Sequence, residues 1–335
     1  MHMTTDNDAA TPPVLITGAD GMLGRALAAA VRAGHAAHAQ HAAHAQHAGH
    51  ADAGHGTAPL LALSHRQLDV ADREPLLRLQ RDTPQAGGWI MHCAALVNVE
   101  GCAQDPALAR RIIVDGTRHV IDYAQATGAK IFYPQSFLTY GDCDSDIPED
   151  HPQQPLSLYG ELKLEAQRLI QERCPDSLVV VMAGFFGGED KDKNFVGKII
   201  PAIHAAIAEG KDSFAVGDRV WQPTWTADLA RASWQLMRER RSGRYQMACT
   251  GEASFFELAT AIVEQLGLDR RIAIVPTSAS AVSQNELGRR PARAVLSCRR
   301  HRDEGHAPLP HWRDALAAYL AQPYFNQYRP HQEAP

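Results

Sequence analysis

Between residues 14 and 186 short apolar, β-branched runs alternate with longer stretches of helical pattern, and glycine, proline or small polar residues separate them. Strands spaced by helices do not pair as hairpins. Each reaches its neighbour through a helical crossover, so the pattern specifies a doubly wound parallel sheet. The runs are Val14–Thr17, Leu60–Leu63, 89–95, 130–135 and 177–186. Helices are expected at 25–32, at 73–81 behind a capping Asp72, at 106–127 closed by Gly128, and around Tyr159 and Lys163.

After Gly187-Gly188 the alternation loosens. Asn194-Phe195-Val196 opens a helix that ends by Gly210, short strands or loops are expected at 214–216 and 220–224, helices at 227–238 and 254–266, and a strand at 271–275. That is too little alternation for a second parallel sheet. The expected division is a nucleotide-type domain over 13–186 and a smaller lobe over 187–325, some of whose segments return to the first sheet. The chain beyond about residue 322 is expected to be weakly ordered.

Residues 34–56 are low in complexity: His35-Ala36-Ala37-His38-Ala39-Gln40 repeats once from His41. Histidines three apart can share a metal, but a strict period of three drifts around a helix, and no acid or cysteine fixes a geometry. The expectation is a mobile insertion between the first helix and second strand, with no metal site. The rest of the composition narrows the function classes. A formal charge of −5 argues against nucleic acid as partner. No apolar run approaches the roughly 20 residues of a membrane span, and the polar first residues lack a signal-peptide core. The scattered cysteines, Cys93, Cys102, Cys143, Cys174, Cys249 and Cys298, suit reduced thiols in a cytoplasmic protein.

The chemistry-bearing residues sit at the carboxyl ends of the runs. Gly18-Ala19-Asp20-Gly21-Met22-Leu23-Gly24 joins the first strand to the first helix. Glycines there let the backbone approach a pyrophosphate, and the helix start offers free N–H groups. Gly18, Asp20, Gly21, Met22, Leu23 and Gly24 are therefore candidate cofactor contacts, although G-x-x-G-x-x-G departs from the usual G-x-G-x-x-G. Ser64-His65-Arg66 ends the second run. An acid at this point receives a ribose 2′-hydroxyl, whereas an arginine accommodates a 2′-phosphate. Ser64 and Arg66 thus favour NADPH over NADH. The small residues Cys93, Ala94 and Ala95 leave room for a dinucleotide across the sheet. Tyr159 and Lys163, four apart, share one helical face. An ammonium beside a phenol favours the phenolate, which would bring its proton exchange closer to neutrality, and the Ser136 hydroxyl is available for the same acceptor.

Taken in order, Thr17-Gly18-x-x-Gly21-x-x-Gly24, Cys93-Ala94-Ala95, Ser136 with Tyr140-Gly141, and Tyr159-x-x-x-Lys163 resemble the extended short-chain dehydrogenases/reductases, with their Rossmann-like NAD(P)-binding domain. Lys193-Asn194-Phe195-Val196, Asp218-Arg219-Val220-Trp221-Gln222-Pro223-Thr224, Asp228-Leu229-Ala230 and Arg290-Pro291 resemble the dTDP-4-dehydrorhamnose reductase group. The resemblance spans nearly the whole chain outside the His/Ala insertion and the tails. It implies that Gly18, Gly21 and Gly24 hold the pyrophosphate, that Asp69 and Val70 lie against the adenine, and that Ala94 and Ala95 lie under the dinucleotide. Tyr159 would be the general acid, Lys163 would bind the nicotinamide ribose, and Ser136 would polarise the carbonyl. Val97, Asn194, Phe195, Gln222 and Thr224 would shape the sugar-nucleotide pocket, in an enzyme that forms a homodimer.

The chain departs from that group in several places. Pro134-Gln135-Ser136-Phe137 stands for Ser-Thr-Asp-Tyr, Ile113 for an asparagine, Met182 for an arginine, and Asp218-Arg219-Val220-Trp221 for D-Q-x-G. These changes leave the acid, its lysine and the hydroxyl in place and bear on substrate choice. The expected activity is NAD(P)H-dependent reduction of a nucleotide-linked 4-keto-6-deoxy sugar. The alternatives are an epimerase or dehydratase of the same superfamily, and a silent regulatory subunit like that of methionine adenosyltransferase. Dehydratases of this kind carry an acidic pair where this chain has Phe137-Leu138.

Overall fold

The computed structural model describes residues 12–47, 59–82, 87–278 and 286–330. β1 (Val14–Thr17) is followed by α1 (Met22–His47), β2 (Leu60–Leu63), α2 (Arg73–Asp82) and β3 (Trp89–His92). Helices α3 (Val99–Gln104) and α4 (Pro106–Arg110) lead through a π turn at Arg111–Asp115 into α5 (Gly116–Thr127), β4 (Lys130–Ser136), α6 (Leu158–Arg173) and β5 (Leu178–Met182). Next come β6 (Phe185–Phe186), α7 (Phe195–Ala208), β7 (Ser213–Gly217), β8 (Val220–Trp221), β9 (Thr224–Trp225), α8 (Thr226–Arg238) and β10 (Gly243–Met247). Beyond them lie β11 (Cys249–Thr250), β12 (Ala253–Ser254), α9 (Phe255–Leu266) and β13 (Ala273–Thr277).

The doubly wound sheet is present: six parallel strands in the order β10-β5-β4-β3-β1-β2. Both faces of β1, β3 and β5 are buried, as helices on both sides require. Val14, Ile16, Leu178, Val180 and Met182 point into one core, Leu15, Ile90 and Val179 into the other, which follows from the two-residue period of a strand. The chain winds outward from β1 to β2 and then back across to β3. That reversal opens a crevice at the carboxyl ends of β1 and β3.

Several expectations change. The histidine-rich segment is helical as far as His47, because α1 continues through it. Alanine is the strongest helix former, and the low-complexity stretch is rich in it. His35 is buried with its ring edge-on to Trp234 of α8, at 6.0 Å. The rest of the insertion, 48–56, lies outside the described residues. The helix expected at 106–127 spans those residues and closes at Gly128, but it carries a π turn at 111–115, and Thr117 donates to the Ile113 carbonyl at 2.6 Å. Gly116 is pressed against Val70, and an added Cβ would come within 2.8 Å of its Cγ2.

In the C-terminal portion β7 and β13 pair in parallel, as do β6 and β9, while β8 and β12 pair antiparallel. These are two-stranded pieces, and β10, which sequence reading had not marked as a strand, adds to the edge of the main sheet beside β5. Within the described part of the tail, which ends at residue 330, Pro323–Tyr328 forms a 3-10 turn, and Phe325 is buried against Tyr319 at 4.7 Å. The six cysteines are all free thiols. No described helix is long and apolar enough to cross a membrane.

Candidate active site

The crevice floor is the glycine turn. Gly18 has φ of +64°, and a Cβ there would lie 2.8 Å from the Ala94 nitrogen, so turn and strand end are in backbone contact. Gly24 is equally constrained, since its Cβ would reach 2.4 Å from the Gly18 carbonyl oxygen. Gly21 differs: the closest atom a Cβ would meet is the Gly18 oxygen at 3.3 Å, and the residue is exposed. Two glycines thus permit close packing, and the third leaves an open cradle at the start of α1. The Asp20 side chain is exposed, its carbonyl accepting from Arg25 Nε at 3.1 Å. Leu23 is turned into the core, and Met22 lies against Gly188.

A hydrogen-bond chain that sequence reading missed ties this turn to the helices behind it. Thr117 gives its proton to the Ile113 carbonyl, so its oxygen accepts from His92 Nε2 at 3.1 Å. His92 Nδ1, left as the acceptor, takes the Thr17 hydroxyl at 3.0 Å, and Thr17 Oγ1 accepts from the Ala94 N–H at 3.3 Å. Burial, with the nearby Lys163 charge, lowers the His92 pKa to about 3, so the ring is neutral as this chain requires.

Tyr159 and Lys163 stand at the first turns of α6, whose N-terminus is capped by Ser157 accepting from Gly160 N. Both are buried, at 8% and 3% exposure, and Ser136 ends the adjacent strand β4. Lys163 acts electrostatically on His92 and Cys93, at the strand end that leads to Ala94 and Gly18. The Ser136 oxygen accepts from Leu138 N at 3.2 Å, and its hydroxyl is hydrogen-bonded to the Tyr159 phenol.

One expectation about this pair is corrected. Burial pushes the Tyr159 phenol upward, with Cys102 adding to the rise and Ser136 opposing it; the lysine is not among its influences. The Lys163 ammonium instead donates to the Pro134 carbonyl at 2.8 Å and sits 3.8 Å over the Tyr133 ring. Its own pKa is lowered to about 7 by burial, partly offset by Cys93. Desolvation outweighs the expected pairing here, and it keeps Tyr159 a neutral O–H.

At the end of β2 the Ser64 hydroxyl and N–H are both taken by Gln67 Oε1, at 2.9 and 3.0 Å. Arg66 is exposed and has no ion pair among the described residues. Asp69 accepts from Ala71 N at 2.9 Å, and Val70 is buried with its carbonyl on His119. The open cradle, the small residues Cys93, Ala94 and Ala95, and the free Arg66 cation fit a dinucleotide carrying an additional phosphate.

Of the residues expected to shape a substrate pocket, Val97 is 63% exposed just past β3. Phe195 stacks on Phe255 with centroids 4.3 Å apart, and together with Phe214 they wall a cavity of about 290 Å³ that Arg219 and Glu286 also line. Asn194 precedes α7, with its amide on the Phe185 carbonyl at 2.8 Å. Gln222 and Thr224 already hold intramolecular partners. The Gln222 amide is taken by both backbone groups of Leu296, and Thr224 bonds the Gln222 carbonyl and Cys249 N. Phe255, Arg219 and Glu286 lie far apart in sequence, and no local spacing marks them as neighbours.

A doubly wound parallel sheet with a glycine turn at its switch point, and a serine, a tyrosine and a lysine near it, has the layout of an NAD(P)-dependent oxidoreductase. Within that class the chain belongs to the RmlD substrate binding domain family, whose model matches residues 12–325. It is 30% identical to a dTDP-4-dehydrorhamnose reductase of Streptomyces griseus, over 91% of this chain and 92% of the relative. It is 28% identical to the enzyme of that name from Mycolicibacterium smegmatis, over 96% and 88% of the two chains. The crystal structure of dTDP-4-dehydrorhamnose reductase from Bacillus anthracis in complex with NADP superposes with a TM-score of 0.76 at 22% identity, covering 92% of this chain and 99% of that one.

Proposed function

We propose that this protein is an NADPH-dependent reductase of a nucleotide-linked 4-keto-6-deoxy sugar, dTDP-4-dehydrorhamnose being the first candidate. The observation that carries the reading is the buried Tyr159 and Lys163, with the partly exposed Ser136, beside the strand end that touches the glycine turn. When bound, the cofactor supplies hydride to the keto carbon. Tyr159, kept protonated by burial, gives its proton to the ketone oxygen, and Ser136 donates a hydrogen bond to the same atom. Lys163 binds the nicotinamide ribose, and its lowered pKa suits it to replace the proton that Tyr159 gives up. The Phe195–Phe255 cavity takes the planar base of the nucleotide. Phe137 and Leu138 beside Ser136 offer no acid for dehydration.

The test is purified protein with NADPH and a panel of nucleotide 4-keto sugars, followed by the absorbance of the reduced cofactor. Net NADPH consumption with at least one sugar is expected, with Arg66→Ala weakening NADPH more than NADH. Turnover without net consumption would mean an epimerase; no turnover with any sugar would remove the reductase reading.

The pH dependence has a definite sign. A lysine with lowered pKa is charged below that value and loses its proton above it. Reductive kcat/KM, which reports the free enzyme, should be level on the acid side and fall as pH rises through about 7. The limb for kcat should lie higher, because bound phosphates favour the ammonium. A profile flat from pH 6 to 9, on the order of the range a shifted lysine spans, would rule out Lys163 as the titrating group.

A further inference from the structure

We propose that Gln135 is a positioning residue for this chemistry, an amide clamp that fixes Ser136 relative to Lys163; the inference rests on the reductase reading above. Gln135 lies in β4 at 2% exposure, next to the hydroxyl residue. Its Oε1 accepts the Ser136 N–H at 2.8 Å, and its Nε2 donates to the Lys163 carbonyl at 2.9 Å and to Gln167 Oε1 at 2.8 Å. One side chain therefore spans the strand that carries the serine and the helix that carries the tyrosine and lysine.

Gln167, buried on the same helix, passes the connection outward. It donates to Gln153 Oε1 at 2.9 Å, and Gln153 Nε2 reaches Thr139 Oγ1 at 2.8 Å. Arg244 of β10 donates to the same Gln153 oxygen at 2.9 Å. The amides thus run from the catalytic pair to the segment before α6 and to the edge strand. A buried amide left unpaired is costly, whereas a satisfied network holds one arrangement of its members. Reacting groups lose roughly a hundredfold in rate for a displacement of about 1 Å, so a brace at this point bears directly on turnover. An apolar side chain at 135 cannot bridge strand and helix.

Gln135→Met, assayed with NADPH and dTDP-4-dehydrorhamnose beside the parent and Tyr159→Phe, should lower kcat about 10- to 100-fold while KM for both substrates stays within about threefold. Gln167→Met, which removes one acceptor but leaves the bonds to Ser136 and Lys163, should cost kcat roughly 3- to 10-fold. An unchanged kcat in a folded Gln135→Met, or a rise in KM alone, overturns the clamp. If Gln135→Met does not fold, an unchanged kcat in Gln167→Met does the same. A parent that fails to turn over the sugar would instead overturn the reductase reading.

Discussion

Tyr159→Phe is expected to fold, to bind NADPH as the parent does, and to lose turnover by about 10²- to 10⁴-fold, the range a positioned general acid supplies. The phenyl ring fills the same buried volume, so packing against Leu162, Ala166 and the rest of that core survives. Only the O–H beside Ser136 is removed. Ser136 keeps its hydroxyl and can still polarise the ketone, which is why some rate should remain. Single-turnover oxidation of bound NADPH by the keto sugar isolates the chemical step from product release, and a thermal melt checks the fold. A rate within threefold of the parent would show that the proton comes from elsewhere, with Lys163 the next group to test.

The second large effect concerns the glycine turn, where two substitutions should separate packing from binding. Gly18→Ala forces a side chain onto a left-handed backbone and into the Ala94 nitrogen and Cα, at 2.8 and 2.9 Å. The conformational penalty alone is roughly 1–2 kcal/mol, and backbone displacement adds to it, so about 2–4 kcal/mol of stability should be lost. NADPH affinity should fall by about 100-fold or more as β1 and β3 are pushed apart, since that is the scale of about 3 kcal/mol. Gly21→Ala meets only the Gly18 oxygen at 3.3 Å and has no positive φ to strain it. It should melt near the parent temperature, yet its methyl group projects into the cradle and should weaken NADPH by about tenfold. Titration of cofactor fluorescence, with melting curves for both variants, gives the comparison. Equal loss of affinity and stability in the two would mean that the turn serves packing alone.

Much of the fold and part of the site are local in origin, and those parts were readable. The G-x-x-G-x-x-G turn and the Tyr159/Lys163 pair are set by spacing along single elements, so strand and helix periodicity delivers them. The Thr17–His92–Thr117 chain, the Gln135 bridge and the Phe195–Phe255 cavity join residues that are distant in sequence, and no spacing announces them. The partners of Gln222 and Thr224 are hidden for the same reason: a polar residue in a pocket motif looks available until its partner, here Leu296 or Cys249, is seen. The histidine-rich stretch misled in the opposite direction, since its repetitive composition hid an alanine-driven helix.

The sequence by itself determined a parallel doubly wound sheet with a glycine turn at its switch point, and a serine, a tyrosine and a lysine on neighbouring elements, because strand alternation and helical spacing are written residue by residue. Only the tertiary structure decided how those groups hold their protons. Burial keeps the Tyr159 phenol neutral and brings Lys163 down to about 7, against the pairing their spacing suggested, because removing charge from water outweighs a neighbour that bonds elsewhere.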